Sequence, residues 1–150
     1  MPEHMLARRV ARLAAVQALY QLDISEDPID RVINEFRDFR FGQEIEDVDY
    51  TEPDFAHFNE VVRGVGQNQL VIDRALEDAL TNDWSLLRFD RTLRALLRAA
   101  AFELRTMTDI PAKVVINEYV ELAHGFFAEN EPGLVNAILD RLHSAWRFNP

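Results

Sequence analysis

The segment RTLRALLRAAAFELRTM, residues 91–107, has the clearest helical pattern in this chain. At 3.6 residues per turn its leucines fall on one side of a helix and its arginines on the other. The leucine side holds Leu93, Leu96, Leu97 and Leu104, and the opposite side holds Arg91, Arg94, Arg98 and Arg105. Asp90, directly before the segment, is a residue type that caps helix N-termini. The segment therefore predicts an amphipathic helix.

The helical period continues on both sides of this segment. The predicted apolar face of a first helix carries Leu6, Val10, Leu13, Gln17, Tyr20 and Ile24. Three further helices are predicted to begin at Pro28, Pro53 and Pro111. Gly64 and Gly66 predict a bend in the third helix, and a last helix follows AENEPG at residues 128–133. The only β-branched run, AKVVI at residues 112–116, keeps the helical period, so the chain is predicted to be all-α.

The length of 150 residues fits a single domain, residues 1–150, with an N-terminal helical half at about 1–82 and a C-terminal half at about 83–150. The chain has no cysteine, which excludes disulfides and thiolate metal sites and favours a reducing compartment. No signal peptide or membrane-spanning run is visible, because Gln17 and Arg98 interrupt the longest apolar stretches. We therefore expect a cytoplasmic protein that does not contact a membrane.

The sequence lacks the residue spacings that are typical of catalytic and metal-binding sites. The histidines are scattered, at His4, His57, His124 and His143, and form no HExxH pair. The sequence contains neither a glycine-rich phosphate loop nor a G-x-S-x-G motif. We therefore predict that the chain is not an enzyme and has no catalytic residues, metal or cofactor.

The net charge of −10 is unevenly distributed. Residues 23–60 contain 13 Asp and Glu but only three arginines, so this acidic segment carries the whole of the net charge. The remainder of the chain is neutral overall. Total charge therefore does not exclude a polyanionic partner for the rest of the surface.

Arg8, Arg9 and Arg12 form a basic cluster, called here the arginine cluster, at the start of the first helix. No acid lies three or four residues from any of them, so no pairing along the helix is predicted. Cations at a helix N-terminus also oppose the helix dipole. These arginines either solubilise the helix and pair with acids elsewhere in the fold, or bind nucleic-acid phosphates through their guanidinium groups.

The arginines of residues 91–107 allow two similar interpretations. Acids of the 23–60 segment could cover this face, or Arg91 and Arg94 could belong to a surface that docks a protein or nucleic acid. Tyr20 also allows two interpretations, because a tyrosine at the boundary of a core can complete that core or offer its hydroxyl to a partner.

Five stretches together resemble the NusB family in order and spacing. They are ARRVARLAAVQALYQLDIS, VVRGVGQNQLVID, LRALLRAAAFEL, DIPAKVVINEYVELAHGF and GLVNAILDRL. The resemblance covers residues from about 8 to 142. It implies an all-α, NusB-like fold of two packed three-helix-bundle halves, without catalytic activity.

Proteins of this family act in transcription antitermination. The resemblance implies a heterodimer with NusE, a small-subunit ribosomal protein, that binds single-stranded boxA RNA, notably in ribosomal RNA transcripts. The bound pair is expected to join an RNA polymerase antitermination complex.

The resemblance also assigns roles to individual residues. It implies that Arg8, Arg9 and Arg12 grip RNA, with Lys113 and Asn130 on the same RNA surface, and that Tyr20 contacts NusE. Leu93 stands where some relatives place an acid for NusE, and its apolar surroundings predict a core position here.

Two rival functions are compatible with the sequence. One is an accessory domain of an RNA methyltransferase, because NusB-like modules precede some of these enzymes. The other is a structural interaction protein that forms a homodimer, with the arginines of one copy paired to the acidic segment of the other.

Overall fold

The computed structural model describes residues 3–41, 44–45, 48–49, 54–81 and 85–148. The described residues include six α-helices: α1 (Glu3–Ile24), α2 (Ile29–Glu35), α3 (Phe55–Ala79), α4 (Arg91–Thr106), α5 (Ala112–Phe126) and α6 (Glu131–Phe148). A π-helical turn, Phe36–Arg40, continues α2, and a 3-10 turn, Leu86–Arg88, precedes α4. The all-α prediction is confirmed.

Two short strands interrupt the helical order. β1 (Glu44–Ile45) and β2 (Val48–Asp49) pair antiparallel, with Glu44 opposite Asp49 and Ile45 opposite Val48. Two residues are too few to produce a recognisable alternating pattern, which is why the sequence does not predict these strands.

The chain divides into two compact units, Met1–Gly66 and Gln67–Pro150. The division falls inside α3, close to Asn68, whose backbone leaves helical geometry at φ −120° and ψ 17°. The bend expected from Gly64 and Gly66 thus occurs two residues further on. The sequence places its boundary near residue 82, beyond the end of this helix, and the single-domain description stays a prediction.

In the first unit, α1 buries the side opposite to its predicted apolar face. Leu6, Tyr20 and Ile24 of the predicted face are 47%, 38% and 49% exposed. The buried positions recur at helical spacing: Ala11, Ala14, Ala15, Ala18 and Leu19. The predicted face is therefore wrong. Small side chains let neighbouring backbones approach closely, and a pattern built on large residues misses them.

An aromatic cluster supports the start of α3 in the same unit. The ring centroid of Phe58 lies 5.4 Å from that of Phe36 and 5.0 Å from that of Phe41. Phe55 packs against both Phe41 and Phe58, at 6.0 and 5.9 Å. Rings at these separations bury large apolar areas and hold the first residue of α3 against the turn that follows α2.

In the second unit, α4 is the central element and packs against both α5 and α6. Every residue from 93 to 103 is buried. The Asp90 side chain caps the helix by accepting a hydrogen bond of 2.8 Å from the Thr92 N–H, as predicted. Tyr119 of α5 donates its hydroxyl hydrogen bond to Glu103 of α4, and both side chains are fully buried. The segment of residues 91–107, which has the clearest helical pattern in the sequence, therefore forms the most buried of the described helices.

Candidate nucleic-acid interface

The arginine cluster begins with an ion pair that the helical spacing does not reveal. Arg8 Nε lies 3.6 Å from Asp54 Oδ2, with the two side chains 37% and 32% exposed. Of the two interpretations of these arginines, pairing with an acid elsewhere in the fold therefore holds for Arg8. Asp54 is distant in sequence, so a search three or four residues away cannot find it.

Asp54 joins the N-terminal parts of α1 and α3. Its backbone N–H donates to the carbonyl oxygen of Ala7 at 3.0 Å. Its Oδ1 accepts from the His57 N–H at 3.0 Å, which caps the N-terminus of α3. The remaining oxygen, Oδ2, faces Arg8. One aspartate thus fixes the end of α3 beside the first basic residue of the cluster.

The other two arginines of the cluster lie at different depths. Arg9 is half-buried, whereas only 2% of Arg12 is exposed. Arg12 follows Arg8 by one turn and lies beside the small residues of α1 that form the core. Because the buried face of α1 differs from the predicted one, Arg12 is a buried residue and the cluster presents Arg8 and Arg9 to its surroundings.

The arginine face of α4 is largely internal. Arg94 and Arg98 are 8% and 6% exposed. Arg98 makes a two-pronged pair with Asp73 of α3, Nε to Oδ1 at 2.8 Å and Nη2 to Oδ2 at 2.9 Å. Asp73 lies outside the 23–60 segment, so a different acid covers this face. Among the candidate partner-binding residues of α4, Arg91 is exposed and Arg94 is buried.

The remaining predicted site residues lie at helix ends or on helix surfaces. Lys113 is exposed in the first turn of α5. Asn130 is exposed directly before α6, and its carbonyl oxygen accepts from the Leu134 N–H at 3.1 Å. Tyr20 is 38% exposed, and Leu93 is 4% exposed, which confirms its predicted core position.

Metal-binding clusters and membrane spans are both absent from the described part of the chain. Among those residues, no group of three or more His, Asp or Glu side chains is placed to hold a metal ion. No described helix is long and apolar enough to cross a membrane.

Comparison with protein families identifies one family that matches this chain. The NusB family model matches residues 9–144. The chain belongs to the NusB family. The transcription antitermination protein NusB of Brucella anthropi is 48% identical over 142 residues, which is 95% of this chain and 84% of that protein. The NusB of Brucella ovis is 47% identical over 142 residues, 95% of this chain and 83% of its own length.

Solved NusB structures have the same architecture. T. maritima NusB superposes with a TM-score of 0.75 at 28% identity, over 100% of this chain and 99% of that one. A crystal structure of the antitermination factors NusB and NusE in complex with double-stranded RNA gives a TM-score of 0.72 at 22% identity, over 94% of this chain and 98% of that one. The second likeness supports the fold, and the NusB-like all-α fold predicted from the sequence is confirmed.

Asp54 is the residue at this site that sequence reasoning missed. An aspartate directly before a helix is a recognisable capping signal, and the sequence places Pro53 and Asp54 at the start of α3. This signal predicts the helix cap. It does not predict the contact between Asp54 and Arg8, because that contact depends on how the N-terminal parts of α1 and α3 meet.

Proposed function

We propose that this chain acts in transcription antitermination as an RNA-binding partner of NusE, without catalysis. Membership of the NusB family carries this proposal. In it the chain binds single-stranded boxA RNA, notably in ribosomal RNA transcripts, and joins the RNA polymerase antitermination complex in the cytoplasm.

The arginine cluster supports the RNA-binding part of the proposal. Arg8 and Arg9 present guanidinium groups on the first turns of α1, where both side chains are partly exposed. Guanidinium groups match the geometry of phosphate oxygens and remain charged at any physiological pH. Direct phosphate contacts are assigned to these two residues. The assignment of Arg12 requires its buried guanidinium to move to the surface.

Lys113 and Asn130 are two further residues that we propose to contact RNA. Both are exposed, and both lie at the N-terminal ends of helices, where the dipole favours negative charge. Asn130 adds no charge of its own, so a phosphate can approach it without repulsion. We assign these two residues to secondary contacts with the RNA backbone.

Tyr20 and Arg91 support the partner-binding part. Both are exposed, and a tyrosine ring with an accessible hydroxyl is typical of protein interfaces. Arg94 is assigned to the same interface, where its burial limits it to supporting the surface formed by Arg91. A basic partner would also be attracted to a chain of net charge −10.

The decisive experiment is a titration of fluorescently labelled single-stranded boxA RNA with this protein, with and without NusE from the same genome. Arg9→Ala is the test variant, because Arg9 is more accessible than Arg12. We expect NusE to tighten binding and Arg9→Ala to weaken it about tenfold, since it removes a charge-assisted phosphate contact. The slope of log affinity against log salt should flatten by about 0.7 for each phosphate that the variant no longer binds.

Arg74→Ala is the matched control. Arg74 is an exposed arginine of α3 in the second unit, so its removal changes the net charge equally. It should leave both affinity and salt slope unchanged. Circular dichroism of both variants excludes loss of helix as the cause of weaker binding. Equal RNA affinity of wild type and Arg9→Ala in the presence of NusE would overturn the assignment of the arginine cluster to RNA.

A further inference from the structure

Asp54 holds a carboxylate at the edge of the proposed RNA site. It is fixed there on both sides, by its N–H bond to the Ala7 carbonyl oxygen and by its cap of the His57 N–H. The side chain cannot turn away from Arg8 without losing the cap of α3. RNA that reaches Arg8 therefore also approaches a carboxylate whose position is set by the fold.

The contact with Arg8 is an exposed ion pair. The Nε to Oδ2 distance of 3.6 Å is longer than a good hydrogen bond, and both side chains are about one-third exposed. Such pairs contribute little to stability because water and salt screen them. A phosphate group can therefore replace Asp54 at the guanidinium at small cost.

We propose that Asp54 is an internal counter-ion of Arg8 that competes with RNA phosphate and so lowers the affinity of the protein for RNA. The proposal rests on the proposed function, because it concerns the same arginine cluster. When phosphate takes its place, the Asp54 carboxylate is left facing a polyanion, and a cation from solution has to compensate it. Binding by the wild-type protein then releases fewer cations overall than the phosphate contacts alone would release.

The two oxygens of Asp54 allow a substitution that separates its roles. An asparagine side chain at this position keeps an oxygen acceptor for the His57 N–H, since asparagine caps helices as well as aspartate does. It lacks the charge beside Arg8. Asp54→Asn therefore removes the counter-ion while retaining the cap.

The test compares labelled boxA RNA binding by wild type, Asp54→Asn, Arg8→Ala and the double variant, in the presence of NusE. We expect Asp54→Asn to tighten binding about two- to fivefold, the range corresponding to one exposed ion pair. The salt slope should steepen by up to about one, because no carboxylate has to recruit a cation. In the Arg8→Ala background the same substitution should have a smaller effect, because the competing partner is gone.

Glu26→Gln is the matched control. Glu26 is an exposed acid of the 23–60 segment, so its neutralisation changes the net charge equally. It should not change RNA affinity. Equal or weaker binding by Asp54→Asn overturns the proposal, as does an equal gain with and without Arg8, which would indicate general repulsion. If the wild-type protein binds RNA, either result leaves the proposed function in place, whereas absence of binding by wild type overturns both.

Discussion

At the residue scale, accessibility separates the members of the arginine cluster, since the Arg8 side chain is 37% exposed and Arg12 is buried. The cap of α4 by Asp90 and the core position of Leu93 follow from neighbouring residues alone. The partner of Arg8 and the burial of Arg12 do not, because each depends on which side of α1 meets the rest of the fold. Residue types can thus be assigned to a site from sequence, whereas their accessibility requires the structure.

Asn130 offers a test of the RNA surface at this scale. Asn130→Asp adds one negative charge directly before α6 and keeps a residue that caps helices equally well. We expect unchanged thermal stability and RNA binding weakened about two- to fivefold, because the new charge repels phosphate at short range. Calorimetry and the RNA titration measure the two effects.

The matched control is Asn34→Asp, an equal change at an exposed position of α2. It should leave RNA binding unaltered. Unchanged RNA affinity of Asn130→Asp would exclude Asn130 from the RNA surface.

At the element scale, helix positions follow from periodicity, while the identity of the buried face does not always follow. The 91–107 pattern predicts α4, which forms as Arg91–Thr106, because large leucines dominate its core side. In α1 the core side consists mainly of alanines, and hydropathy patterns give these less weight than leucine or tyrosine. Long polar side chains introduce a second error, since Arg94 and Arg98 of α4 are buried despite their charge.

The prediction at the element scale concerns Arg98, because its pair with Asp73 connects α4 to α3. Arg98→Met should lower the free energy of unfolding by about 2–4 kcal/mol, since it leaves a partly buried carboxylate without its two-pronged partner. Urea denaturation measures the difference.

The same substitution at an exposed position is the control. Arg91→Met, at the start of the same helix, should change the unfolding free energy by no more than about 0.5 kcal/mol. A loss of equal size in both variants would assign the effect to the methionine itself and contradict the role of the Arg98–Asp73 pair.

At the scale of the whole molecule, charge is separated along the chain: residues 23–60 carry the net −10 and the rest is neutral. A segment with this charge attracts a basic partner and steers its approach. We expect the association rate with NusE to fall as ionic strength rises. Neutralising Glu44, Glu46 and Asp47 together should slow association at low salt, as measured by stopped-flow fluorescence.

The control neutralises three exposed acids of the second unit, Asp109, Glu121 and Asp140. Both triple variants remove three negative charges. A larger decrease in association rate for the first variant would therefore show that the acidic segment steers NusE. Equal rates for both triple variants would show that only total charge matters.

The position of the unit boundary also limits how such genes can recombine. A crossover near residue 82 would take Asp73 and Glu77 from one parent and Arg98 and Ser85 from the other, although Arg98 donates to Asp73 and the Ser85 hydroxyl donates to Glu77 Oε1 at 3.3 Å. A crossover at Gly66 and Gln67 would inherit both pairs together. Chimaeras of diverged relatives should therefore survive more often when their junction lies inside α3 than when it lies in the loop that follows.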